Sequence, residues 1–212
     1  MLAAAPRKVD RRKELAAFYK ARESPQIVDV PPLDFVAVDG AGDPETSPDF
    51  ADAIEALYGV SYTLKFALRA RPDGADYAVM PLEALWWADD MSAFMRDDRT
   101  NWKWTAMIAQ PPEISVEDMR AAASQLLARK PDLAAVGRLR WHPFTEGLAA
   151  QLLHVGPYNT EQANIERLHA FIAAQGGQLR GKHHEIYLSD TRRTAPDRLK
   201  TIIRQPFIMK GH

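Results

Sequence analysis

Two distant stretches of the chain share wording: Thr105-Ala106-Met107-Ile108-Ala109-Gln110-Pro111 and Lys200-Thr201-Ile202-Ile203-Arg204-Gln205-Pro206. Each is rich in strand-forming residues, and the first is stopped by Gln110-Pro111-Pro112, since proline cannot donate to a β-ladder. Outward from each, the same order of elements recurs. In the first half, Leu33–Val38 reads as a strand ended by the turn Asp39-Gly40-Ala41-Gly42-Asp43-Pro44. Ser47 then caps a helix with Pro48 at its first position, and apolar spacing at Phe50, Ile54, Leu57, Tyr58, Ser61 and Leu64 carries it to about Ala70. Tyr77–Leu85 and Asn101–Ala109 read as the two strands that follow, with residues 89–99 as a polar loop between them.

The second half repeats this: a strand at Leu148–Val155, a turn at Gly156-Pro157-Tyr158-Asn159, a helix at Thr160–Ala174 capped by Thr160, and strands at Glu185–Leu188 and Leu199–Phe207. Internal duplication of a β-α-β-β unit is the main organising signal. The class is therefore α+β. Residues 1–24 form a basic arm with a short amphipathic helix, and residues 25–212 form the domain. Within it, repeat one covers about 25–112 and repeat two about 138–208. A connecting helix at about 115–130 has Ser115 and Asp118 as a capping-box pair and Pro131 as its stop.

Composition narrows the function classes. A net charge of -1 gives the summed field no preference for nucleic acid or membrane surfaces. The chain has no cysteine, which removes disulfides, thiol catalysis and thiolate metal sites and fits a reducing cytoplasm. No apolar run reaches the roughly 18 residues of a membrane span. Gly59-Val60-Ser61-Tyr62-Thr63 lacks the closing glycine of a nucleophile elbow. Gly40-Ala41-Gly42-Asp43-Pro44-Glu45 lacks the third glycine of a dinucleotide fingerprint. No cofactor is expected. His183 and His184 suggest a metal with His154, but neighbours on a strand point to opposite faces, so no metal site is expected either.

Four of the five tryptophans fall in two tight groups, Trp86/Trp87 and Trp102/Trp104, on strands expected to be hairpin neighbours. Residues two apart share a face, so Trp102 and Trp104 leave the sheet together. They read either as core or as a flat wall for a planar ligand, which Tyr58, Tyr62, Trp141 and Tyr158 would close from elsewhere.

Five segments in order resemble the GyrI-like family, over about Gln26 to Phe207: Val38–Pro44, Leu57–Lys65, Trp102–Ile108, His154–Tyr158 and His183–Asp190. The resemblance implies two β-α-β-β modules side by side about a pseudo-twofold axis, with a cleft between them for drug-like organic molecules. It also implies that Glu185 lies in that cleft. One branch of the family, similar in its tryptophan-rich segment, includes hydrolases that open the cyclopropane of DNA-alkylating natural products. Regulators of the family carry a helix-turn-helix ahead of this domain, and too few residues precede the first strand here to hold one, so DNA binding is not expected.

On these grounds Glu185 and Tyr187, which share a strand face, are the expected catalytic pair. Burial would raise the Glu185 pKa and prepare it to meet a cation or activate water. Glu83 is a possible second carboxylate and equally a solvated strand residue. The alternatives to a hydrolase are a non-catalytic ligand sensor and a protein-interaction module of the gyrase-inhibitor type.

Overall fold

The computed structural model describes residues 6–44, 46–89 and 101–210. The expected loop at 89–99 therefore lies almost wholly outside the described residues. The elements in chain order are β1 (Arg7–Val9), α1 (Arg11–Glu14), α2 (Ala16–Tyr19), β2 (Gln26–Val30), β3 (Leu33–Ala41), α3 (Pro48–Arg69), β4 (Ala75–Tyr77), β5 (Leu82–Trp87), β6 (Lys103–Gln110), α4 (Val116–Arg129), β7 (Arg140–Phe144), β8 (Gly147–Val155), α5 (Gln162–Ala174), β9 (Gly177–Leu179), β10 (His183–Tyr187) and β11 (Lys200–Met209).

The duplicated units are β3-α3-β5-β6 and β8-α5-β10-β11. They lie side by side in one antiparallel sheet of order β2-β8-β11-β10-β5-β6-β3-β7, with β9 paired to β11. The middle strands β10 and β5 come one from each unit, so the pseudo-twofold axis runs between them. Their register, Glu185 opposite Ala84 and Ile186 opposite Glu83, decides which face each residue takes.

The sheet cannot be flat. β7 and β8 stand six strand positions apart, which in a flat sheet would separate them by about 29 Å at ~4.8 Å per strand. Yet Thr145 and Glu146 alone join them, and three peptide steps span about 11 Å at most. The sheet therefore curls strongly, and Phe144 of β7 brings its ring to 6.3 Å from that of His184 on β10 across the concave side.

Both long helices lie on the convex side. α3 buries Phe50, Ala53, Leu57, Val60 and Leu64, and Phe50 meets the rings of Trp86 and Trp104 at 5.4 and 5.0 Å. α5 packs Ile165, Leu168 and Ile172 against Leu152, Ile203 and Phe207. α4 lies on α3, where Gly59 permits the approach: a Cβ there would stand 2.8 Å from a Leu126 methyl. Its capping box of Ser115 and Asp118 is present as expected.

Three local expectations are corrected. The strand expected over Tyr77–Leu85 is two, β4 and β5, broken around Pro81. Thr160 does not cap α5: its hydroxyl turns back to Pro157 O at 2.7 Å, residues 158–160 form a 3-10 turn, and Glu161 occupies the cap position. The N-terminal arm is ordered as one turn each of α1 and α2, with β1 pairing parallel to β4.

Candidate functional site

Glu185 sits on β10, on the convex face between the two long helices, with 12% of its side-chain surface exposed. Its oxygens are taken by donors. His183 Nε2 lies 3.1 Å from Oε1, and the Tyr187 hydroxyl donates to Oε2 at 2.6 Å. Trp86 Nε1 donates to the Tyr187 oxygen at 3.1 Å, so the tyrosine is oriented from behind. These groups meet because strand alternation puts Trp86, His183, Glu185 and Tyr187 on one face of the β5–β10 pair.

Glu161, buried at the start of α5, is hydrogen-bonded to Glu185 as well. Two carboxyl groups can bond only through a proton carried by one of them. Burial pushes the Glu185 pKa up, but the bonds and charge supplied by His183, then Tyr187 and Glu161, outweigh it and hold the carboxyl below its usual range. This reverses the expectation of a raised value. The sequence reading supposed a carboxylate alone among apolar groups; donors surround it. Tyr187 is pushed well up, by burial first and then by the adjacent Glu185 charge. Tyr158, whose ring meets that of Tyr187 edge-on at 5.6 Å, is raised to about 12 by burial and by Glu161 and Glu185.

The aromatic candidates divide. Trp86, Tyr158 and Tyr187 stand in direct contact with the Glu185 network, and Trp102 packs on Trp86 at 5.7 Å. Tyr58 is half-buried on α3 and its hydroxyl oxygen meets the backbone of Leu82, which lies opposite Tyr187. Trp104 is fully buried against Phe50 and Gly40 and belongs to the core. Tyr62 is exposed and lines a groove between α3 and α4. Trp141 is on the edge strand β7, four strands from β10. Trp87 takes the concave face, where the Lys182 ammonium stands 3.1 Å over its ring.

Glu83 does not join Glu185. It lies opposite Ile186, so it points to the concave side, and it is 1% exposed rather than solvated. There it accepts the Tyr19 hydroxyl at 2.6 Å and meets His184 Nε2 at 3.0 Å. His184 Nδ1 reaches Glu146 at 2.9 Å, and Arg204 bonds the other Glu146 oxygen at 2.8 Å. Burial alone would lower the His184 pKa, but Glu146 and Glu83 raise it to about 9. Burial alone would raise Glu146, but His184 and Arg204 bring it to about 2. Arg204 also donates to Phe18 O and Gln151 to Ala17 O, so this buried ionic row pins the N-terminal arm.

Sequence reasoning missed Glu161 and His183 at the convex site. His183 was readable, because it lies two residues before Glu185. Glu161 was not, since its approach depends on how α5 docks.

Residues 23–207 match the GyrI-like small molecule binding domain family. The chain is similar to an uncharacterized conserved protein from Listeria innocua, with 35% identity and a TM-score of 0.85 over 94% of this chain and all of that one. It is similar also to a hydrolase from Listeria innocua, with 32% identity and a TM-score of 0.82 over 94% of this chain and all of the other. The C-terminal domain of EcmrR shares the fold at 11% identity, with a TM-score of 0.55 over 88% of this chain and 98% of that domain. No curated protein matches. No helix among the described residues is long and apolar enough to cross a membrane. By sequence over most of its length and by its paired β-α-β-β modules, the chain belongs to the GyrI-like family of small-molecule-binding domains.

Proposed function

We propose that the protein hydrolyses planar, partly apolar organic molecules bound over Glu185, and that strained cyclopropane-bearing alkylators are its substrate class. The observation that carries this reading is the Glu185 carboxylate held ionised by His183 and Tyr187 while a second carboxyl, Glu161, stands beside it. Similarity to a hydrolase at 32% identity supports it.

The step balances with these groups alone. Glu185 takes a proton from a water whose oxygen forms a bond to the least hindered cyclopropane carbon. The C–C bond of the ring breaks, and its electron pair passes into the conjugated carbonyl. The carbonyl oxygen receives the proton that Glu161 shares, and proton exchange between the two glutamates resets the site. Tyr158 and Tyr187, the latter held from behind by the buried Trp86, would align the ring system, and positioning of this kind contributes several kcal/mol to a barrier. A second reading, a non-catalytic receptor for cations, is favoured by the same negative carboxyl pair within aromatic rings.

Tryptophan fluorescence titration with planar compounds, one of them a cyclopropane alkylator, separates the two when products are analysed. Quenching with a ring-opened, hydrated product, and loss of that product but not of quenching in Glu185→Gln, is the expected result. Ligand recovered unchanged would leave the receptor reading; no quenching at all would remove both.

A further inference from the structure

The curled sheet leaves a second cavity on its concave side, of about 220 Å³, that the Glu185 network does not touch. Its walls are apolar at Leu85, Phe144 and Pro206, and its mouth carries Arg180 and Lys182. Among the described residues, neither cation lies within ion-pair distance of a carboxylate. Arg180 donates to the backbone oxygen of Glu146, and the Lys182 ammonium rests on the Trp87 ring. The nearest acids are already committed. Glu146 at the cavity floor is neutralised by His184 and Arg204, and Asp39 is held by Arg140 through two bonds of 2.7 and 2.8 Å.

The cavity is thus an apolar slot with surplus positive charge at one end. From this geometry we infer a second small-molecule site, specific for a compact aromatic carboxylate whose ring lies between Leu85, Phe144 and Pro206 and whose charge meets Lys182 and Arg180. The volume is below the ~300 Å³ at which drug-sized sites begin, so a single ring fits and a polycycle does not. His142, stacked on Phe144 at 5.6 Å, extends the ring-binding wall. Burial pulls the Lys182 ammonium below the ordinary lysine range, and a bound carboxylate would return the favourable charge that it lacks. This inference does not rest on the hydrolase reading.

Benzoate is the probe, titrated calorimetrically into the whole protein at low salt, with benzamide as the uncharged control. Saturable binding of benzoate, weakened about tenfold in Lys182→Gln and hardly changed in Glu185→Gln, is expected, as is benzamide binding at least tenfold more weakly. Displacement of the ammonium from Trp87 should change emission, and Trp87→Phe should remove that change. Lys182 is half-buried and makes no ion pair among the described residues, so urea denaturation of Lys182→Gln is run beside the titration to show that the fold is retained. If Arg180→Gln loosens Glu146, Lys182→Gln alone still decides. Absence of saturation, equal binding of benzamide, undiminished binding by Lys182→Gln, or loss of binding in Glu185→Gln would each overturn the assignment. The last would move benzoate to the Glu185 face of the sheet and leave the hydrolase reading to its own test.

Discussion

His183 and His184 are neighbours in the chain, and they serve opposite faces of the sheet: the first bonds Glu185 at 3.1 Å, the second ties Glu83 to Glu146. Strand alternation alone enforces this division. Substituting one should therefore disturb one face. Removing His184 leaves two buried carboxylates facing each other with less compensation, a change that typically costs about 3–5 kcal/mol. His184→Gln should lower the urea midpoint sharply. His183→Gln, which takes one partner from a single buried carboxylate, should lower it less, at a cost of about 1–3 kcal/mol, while altering ligand binding at Glu185. Equal loss of stability in both variants would contradict the two-face arrangement.

The ionic row also gives stability a pH dependence with a definite sign. His184 is raised from 6.5 to about 9, so its contribution is complete below pH 6.5 and is lost as pH climbs through about 9. Glu146 is lowered from 4.5 to about 2, so its contribution is complete above pH 4.5 and is lost as pH falls toward 2. Urea midpoints measured across pH should be flat between about 4.5 and 6.5 and decline on both sides. In His184→Gln the decline on the alkaline side should disappear.

Much of the architecture could be read from sequence because it depends on local pattern. The turn after β3, the proline at the start of α3 and the capping box of α4 are short-range signals, and those elements form within a few residues of expectation, whereas β11 runs on through Gln205-Pro206 to Met209 and Ser47 makes no side-chain bond at the start of α3. The site was legible only in part. Glu185, Tyr187 and Trp86 follow from alternation once the β5–β10 register is known, but the register itself is tertiary. Glu83 was misplaced for that reason, because one step along a strand exchanges the faces. The curl of the sheet could not be foreseen either. It follows from β7 and β8 being adjacent in sequence and distant in the sheet, and it buries Glu146 and Arg204, which no spacing rule links.

Trp104 offers a test of the distinction between core and cleft tryptophans. A Cβ on Gly40 would stand 2.1 Å from the Trp104 ring, and that ring is held by Phe50. Gly40→Ala should force the indole aside at a cost of about 1–3 kcal/mol, the usual range for overpacking. Near-UV circular dichroism and urea denaturation would register the change. Intact stability would mean that Trp104 is loosely held and could still serve the cleft.

Tyr187→Phe removes a donor from Glu185 and the acceptor of the Trp86 N–H. Losing partners for buried polar groups costs about 1–3 kcal/mol, so a modest fall in stability is expected. The more telling readout is the pH profile of turnover. Glu185 is held low partly by that hydroxyl, so the acid limb should shift to higher pH in the variant. An unshifted limb with lower turnover would instead make Tyr187 an alignment residue.

The pair of Glu161 and Glu185 gives the sharpest test of mechanism. Glu161→Gln keeps a donor toward Glu185, since an amide N–H can replace the carboxyl O–H, so folding and ligand affinity should be retained. What the amide cannot do is release a proton to the departing carbonyl. General acid catalysis typically contributes 10²–10⁴-fold, so turnover should fall by about two orders of magnitude with quenching affinity unchanged. The limb of the profile that reports an acid losing its proton should also vanish. Glu161→Ala, which deletes the donor too, should raise the Glu185 pKa and move the acid limb upward. Full turnover in Glu161→Gln would assign the proton to Tyr187 and reduce Glu161 to holding Glu185 in place.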